Sequence, residues 1–325
     1  MKTLETTRFL DLTRQSMDAV EHRMRSQDGF EHHPDLIQAL EHLLTAGGKR
    51  IRPRLVLLAA EITGADKDAA ITLAAAIEML HTATLVHDDL IDGSLLRRGN
   101  PTLNAQWTAG ATVLTGDYIF ARAAHLASLT QSISLMKQFA LTLMTIVNGE
   151  ATQLFSREDQ FSYDGYLRRI YAKTAALFEI SAEGTALLPE GNVDFQIPLR
   201  AFGYNLGIAF QVTDDILDFT GDPEKLGKPV ANDLRQGLIT LPTLLYLEHN
   251  HADRKLAHEI QHRQLSEDDI LDLFASIRES NAIKNSQEKA DHYLDLAEQD
   301  LGQFPESSAR TALHDLIGSL RHRRT

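Results

Sequence analysis

The sequence predicts an all-α fold, and three observations carry that expectation. Proline is scarce, 9 residues in 325, and no Asn-Gly hairpin signal separates alternating runs. Ala, Leu and Ile recur at helical spacing. Turn chemistry falls only at wide intervals: GG at 47–48, DGSLLRRGNP at 92–101, SREDQFSYDG at 156–165, LPEGNVDFQIP at 188–198 and TGDPEKLGKPVAND at 220–233.

Between these joints the elements follow in order. The stretch 66–91 contains AAITLAAAIEMLHTATLV, apolar all round, and reads as a buried helix. The stretches 101–129, 131–155, 167–187 and 195–218 have the same character and read as further central helices. The last of them carries FGYNLGIAFQV. After about residue 250 the chain turns polar and rich in His, Asp and Glu, which predicts shorter peripheral helices without a motif. No repeat or low-complexity linker interrupts the pattern, so one compact domain over 1–325 is expected.

Composition narrows the function classes. With 32 basic and 45 acidic residues the net charge is −13, which argues against a nucleic-acid partner. Cysteine is absent, so disulfides and thiolate metal sites are excluded. MKTLETTRFLDLTRQ has early acidic residues and no apolar core, unlike a signal peptide. No run of about 18 uncharged apolar residues predicts a membrane span. A cytoplasmic protein is the expectation.

The most informative pattern is Asp-Asp-x-x-Asp, present twice: Asp88, Asp89 and Asp92 in LVHDDLID, and Asp214, Asp215 and Asp218 in QVTDDILDF. Each copy closes an apolar helix. Residues four apart share a helix face, so Asp88 pairs with Asp92 and Asp214 with Asp218. Crowded carboxylates repel and oppose the macrodipole at a helix C-terminus. One copy alone reads more readily as a solvated acidic helix end, but two predict bound cations. Mg²⁺ takes few carboxylates together with phosphate oxygens, so a metal–diphosphate is the expected ligand.

Basic residues gather locally. In GGKRIRPRL, Lys49 and Arg52 are three apart on a helix expected after the Gly-Gly turn, a place that suits a bound polyanion. His81 lies two turns before Asp88 on the same face; His87 points elsewhere and reads as structural. Arg97 and Arg98 follow the first acidic motif, either as its counter-ions or as a bidentate phosphate clamp. Lys173 sits beside Thr174 inside an apolar helix, where it needs an anion. Gln211 shares a face with Asp214, and Lys228 lies in the following Gly/Pro loop, either reaching a phosphate or simply exposed.

In this order the motifs GGKRIRP, HTATLVHDDLIDGSLLRRG, AKTAALFE, FQVTDDILDFTGD and GKPVANDLRQGLITLP resemble the all-trans isoprenyl (polyprenyl) diphosphate synthases, over about residues 40–245. The resemblance implies a single large antiparallel helical bundle around a deep central cavity, usually a homodimer, with the apolar helices of 101–155 as interface candidates. It implies isopentenyl diphosphate and an allylic diphosphate as substrates. Asp88, Asp92, Asp214 and Asp218 would hold Mg²⁺ over the allylic diphosphate, with Arg97, Lys173 and Lys228 as cationic partners. Lys49, Arg52, His81 and Arg98 would form the isopentenyl diphosphate pocket, and Thr174 and Gln211 would lie near the allylic carbon. One departure is Leu238, where short-chain members often carry Lys. That diphosphate contact is either absent or made by Lys228 alone.

Family members with aromatic residues four and five positions before the first motif make short products. Here these are Thr84 and Ala83, about 6 and 7.5 Å up the helix from Asp88. Thr84 faces within roughly 40° of Asp88, Ala83 about 140° round. The small residues imply a long-chain product of about six to ten isoprene units by analogy, released with transient membrane contact. The alternatives are a short-chain, geranylgeranyl-type synthase and the catalytic subunit of a heteromeric one. A class I terpene cyclase normally mixes Asn/Asp, Ser and Glu in its second metal motif, unlike QVTDDILDF.

Overall fold

Helical periodicity becomes helix along most of the chain. The computed structural model describes residues 4–26, 32–97, 99–155, 161–221, 231–249 and 254–323. The first helices are α1 (Leu4–Arg25) and α2 (Pro34–Thr45), the latter opened by a proline whose missing N–H would be unbonded there anyway. α3 (Ile51–Thr63) begins only at Ile51, because Arg50 is left-handed at φ 48°; it stops at Gly64, φ 71°. Lys49 therefore lies ahead of the helix, not on one face of it with Arg52. α4 (Lys67–Ile91) is capped by Asp66, whose carboxylate accepts from the Ala69 N–H at 2.8 Å.

The expected 101–129 helix is divided. A short hairpin pairs β1 (Leu96–Arg97) with β2 (Asn100–Pro101), then come α5 (Leu103–Gln106) and α6 (Ala109–Leu129). Thr102 and Thr108 each cap the helix that follows, and a capping residue is extended, so the backbone breaks twice. α7 (Ile133–Phe155) matches its expectation. The expected 167–187 helix is instead α8 (Tyr163–Ile170), a π turn at Tyr171–Ala175, α9 (Ala176–Glu183) and a 3-10 turn at Gly184–Leu187. After α10 (Gln196–Thr220) come α11 (Asn232–Arg235), α12 (Leu241–His249), α13 (Arg254–Gln261), α14 (Glu267–Glu279), α15 (Ala282–Leu301) and α16 (Ser308–His322). The all-α expectation holds, the hairpin apart.

Contacts group the chain into two compact units. The first comprises Met1–Leu141, Ile180–Arg200 and Phe304–Leu313. Its centre is α4, packed by α1, α3 and α6. Leu73, Ala74, Ile77 and Met79 are wholly inaccessible there. α4 is long and apolar enough to cross a bilayer, but most of it is buried in protein, as a core helix is. His87 lies over Gly116 of α6, where a Cβ would stand 2.1 Å from Nε2. It is a packing residue, as expected.

The second unit comprises Thr142–Glu179, Ala201–Gln303 and His314–Thr325. Its core joins Tyr166 and Ile170 to Ile208, Val212 and Ile216 of α10 and to α12, α14 and α15. The region after residue 250 is not merely peripheral. α15 is 20 residues long and buries Ala282, Ser286, Ala290, Leu294, Ala297 and Leu301. That stripe recurs every three or four residues, so a polar average composition concealed an amphipathic helix. α10 fits closely against the π turn and α9. A Cβ on Gly207 would be 2.6 Å from Ala175 Cα, and one on Gly203 2.7 Å from Glu179 Cα. On the other side a Cβ on Gly149 of α7 would be 2.3 Å from Ala172 Cβ.

Candidate active site

The two acidic motifs are built alike. Each ends a long helix, α4 or α10, and each buries only its middle carboxylate. Asp89 is 7% exposed and receives a fork from Arg97: Nε donates at 3.0 and 2.9 Å to its two oxygens and Nη2 at 2.8 Å. Asp215 is 4% exposed; it accepts from the Tyr166 hydroxyl at 2.7 Å and from Gln211 Nε2 at 2.9 Å. The outer members stay accessible: Asp92 is exposed, and Asp88, Asp214 and Asp218 are half-buried. Asp218 also accepts from the Asp233 N–H at 3.2 Å. The i, i+4 pairing expected from sequence thus comes with a division of labour: outer carboxylates face outward, inner ones are held.

Around the second motif the side chains form one continuous line. Thr174 Oγ1 donates to Gln211 Oε1 at 2.5 Å, Gln211 Nε2 donates to Asp215 Oδ1, and Tyr166 donates to Asp215 Oδ2. Below them Arg169 stacks its guanidinium 5.5 Å from the Tyr166 ring centre and bonds the Ile239 carbonyl. Burial pushes the Asp215 carboxyl up to about 6, although Gln211, Tyr166 and Arg169 all pull it down and Asp214 adds to the rise. Burial and the Asp215 charge also hold the Tyr166 hydroxyl protonated, well above the usual tyrosine range.

The small residues of α10 explain the register. Gly203, Gly207 and Gln211 are four apart on one stripe. The first two bring α10 against Glu179 and Ala175, which leaves Gln211 at bonding distance from Thr174. Lys173 sits on the π turn, partly exposed, and pairs with Glu150 of α7 at 3.3 Å. Because Lys173 is exposed and not inside an apolar core, it does not depend on that anion as a buried lysine would. π turns are frequent at functional sites, and this one carries Lys173 and Thr174 on successive residues.

In the first unit, Lys49 is exposed ahead of α3, Arg52 is half-buried in its first turn, and His81 is half-buried on α4. α3 packs on α4. Their neighbour Arg50 keeps only 9% of its side chain exposed, with Nη1 2.7 Å from Glu78 and Nη2 donating to Leu44 O at 2.9 Å. Arg54 bonds Leu10 O and Thr13 of α1. In GGKRIRPRL the alternate arginines therefore brace the fold. Ala83 is fully buried and Thr84 partly so, its hydroxyl turned back onto His81 O at 2.8 Å. Arg98 and Lys228 fall outside the described residues.

Sequence reasoning passed over Arg323, which pairs with Asp214 at 3.0 Å and lies 5.5 Å from the Phe210 ring centre. The available signal was RHRR, a basic run at the end of an acidic chain. It also passed over Glu150, Tyr166 and Arg169, which carry no motif. As to a metal, the donors are oxygen only, two accessible carboxylates per motif. Among the described residues no three His, Asp or Glu side chains form a ready-made cage. Such a set fits a hard divalent cation that completes its shell with water and phosphate oxygens, as Mg²⁺ does.

The sequence profile of the polyprenyl synthetase family matches residues 33–277. The chain belongs to that family. This polyprenyl synthetase chain is 39% identical over 302 residues to heptaprenyl diphosphate synthase component 2 of Geobacillus stearothermophilus, covering 92% of each. It is 39% identical over 281 residues to an all-trans-nonaprenyl-diphosphate synthase of Rhodobacter capsulatus, covering 85% of each. Its fold superimposes on a polyprenyl synthase from Caulobacter crescentus complexed with calcium and isoprenyl diphosphate, with a TM-score of 0.90, 38% identity and 98% coverage of both chains. The resemblance read from the five motifs is borne out.

Proposed function

We propose that this polyprenyl synthetase condenses isopentenyl diphosphate head-to-tail onto an allylic diphosphate to give a long-chain all-trans polyprenyl diphosphate, with Mg²⁺ as its cation. The observation that carries the reading is the repeated motif with accessible outer and buried inner carboxylates. The heptaprenyl and nonaprenyl relatives support a long product, and the calcium complex supports a divalent cation. The family match runs through both units, which supports one functional domain.

In this reading Asp88, Asp92, Asp214 and Asp218 hold the cation, and Arg97, Lys173 and Lys228 bind the allylic diphosphate. A cation held there would supply positive charge against the departing diphosphate and so ease ionisation of the allylic C–O bond. Lys49, Arg52, His81 and Arg98 orient isopentenyl diphosphate, whose double bond attacks the allylic cation. Thr174 and Gln211 turn oxygen lone pairs toward that cation. The proton leaves to the released diphosphate, so no protein base is needed. Apolar helix walls exclude water. Arg97 and Lys173 would exchange their present carboxylate partners for phosphate oxygens, which suits side chains already paired at partly exposed positions.

A cytoplasmic homodimer completes the proposal. Its support is the apolar face of α7, where Ile133, Leu141, Met144, Val147, Leu154 and Phe155 are all exposed within one arc of the helix. The "component 2" relative favours a second reading, the catalytic half of a heteromer. The purified chain incubated with Mg²⁺, farnesyl diphosphate and isopentenyl diphosphate separates these. A ladder ending in a long polyprenyl diphosphate is expected. A single addition removes the long-chain reading, and no turnover with retained Mg²⁺-dependent substrate binding transfers the case to the heteromer.

A further inference from the structure

Gln211 has a chemical polarity that the fold has to settle. A primary amide is nearly symmetric in shape, with an acceptor at one end and two donors at the other. If Gln211 faces a developing allylic cation, its oxygen stabilises that cation and its NH₂ opposes it. Nothing in the Thr174 hydroxyl decides between the two, since a hydroxyl both donates and accepts.

The decision comes from behind. The other end of the amide meets Asp215 at 2.9 Å, and an ionised carboxylate only accepts. The NH₂ must therefore face Asp215, leaving the carbonyl for Thr174 at 2.5 Å. Asp215 cannot turn away, because Tyr166 donates to its second oxygen at 2.7 Å from a wholly buried ring. Arg169 lies over the same ring and is itself tied to Ile239 O. We propose that Asp215, held by Tyr166 and backed by Arg169, is a positioning residue that fixes which end of the Gln211 amide faces Thr174 and the reacting allyl group. This rests on the prenyltransferase reading above and deepens it. The middle aspartate of the second motif acts through an amide, whereas its outer neighbours hold the cation.

The test exchanges donors and acceptors at constant shape. Asp215→Asn lets the Gln211 amide turn over and should lower kcat roughly 10²-fold, the scale for losing one preorganised polar group. KM for both diphosphates and Mg²⁺ affinity by calorimetry should stay within about twofold. Tyr166→Phe leaves Asp215 an acceptor and should cost only about fivefold, since the amide keeps its direction. The double variant Asp215→Asn/Gln211→Glu restores an acceptor beside Thr174, with the asparagine NH₂ donating to the new carboxylate. It should recover at least about tenfold of the loss. No recovery, or a fall in Mg²⁺ affinity that accounts for the lost rate, overturns the proposal. A second readout needs no turnover. The Gln211 side-chain NH₂ resonances should show one strongly bonded, slowly exchanging proton that is lost in Asp215→Asn. Unchanged resonances overturn the relay even if the enzyme is active. An inactive wild type with the expected resonances strikes the functional reading and leaves the relay standing.

Discussion

At the scale of single residues, neighbours in one motif have opposite fates. In GGKRIRPRL, Arg50 turns inward onto the buried Glu78 while Lys49 stands exposed. Arg50→Met leaves Glu78 as an uncompensated buried carboxylate and should cost about 3–5 kcal/mol in urea denaturation. Asp88 and Asp214 are only half-buried, so Asp88→Asn and Asp214→Asn bury no uncompensated charge. Each should lower kcat roughly 10²–10³-fold while leaving the denaturation midpoint close to wild type. A large loss of stability in either would reassign it to the fold. Ala83 is fully buried, so Ala83→Phe inserts a ring into the interior. It should shorten the prenyl product and cost about 1–3 kcal/mol. An unchanged product distribution removes Ala83 from the chain-length argument. The acidic pairs were legible because a period of four is visible in the chain. Arg97, the partner of Asp89, was legible as a nearby counter-ion, but Tyr166 was not: it lies 49 positions from Asp215, and distant pairings leave no local trace.

At the scale of elements, glycines decide how near two helices come. Gly207→Ala sets a Cβ 2.6 Å from the Ala175 backbone, which cannot yield as a flexible side chain would. We expect a loss of about 1–3 kcal/mol with kcat falling further, since Thr174 and Gln211 are drawn apart. Gly110 of α6 meets nothing within 4 Å, so Gly110→Ala should instead be neutral or stabilise by up to about 1 kcal/mol. Periodicity gave α4, α7 and α10 to within about two residues of the backbone. It missed the π turn, since YAKTA has no composition that marks one extra residue per turn. That turn sets a phase. Removing one residue from it would rotate α8 by about 100° against α9, parting Tyr166 from Asp215 while Thr174 stayed with Gln211.

At the scale of the whole molecule, the exposed apolar face of α7 is an unexplained surface cost, and burial against a second copy removes it. Met144→Glu with Val147→Glu should shift sedimentation from dimer to monomer if that face is the interface; an unmoved dimer places the interface elsewhere. The absence of a linker is legible in the chain, but the grouping of contacts is not, for neither unit is contiguous in sequence. This has a consequence for synthesis on the ribosome. The first unit draws its last residues from Phe304–Leu313, so it is complete only when nearly the whole chain has emerged. No cut between two consecutive residues would yield either unit whole. Fragments of this protein should regain their structure only in complementary pairs.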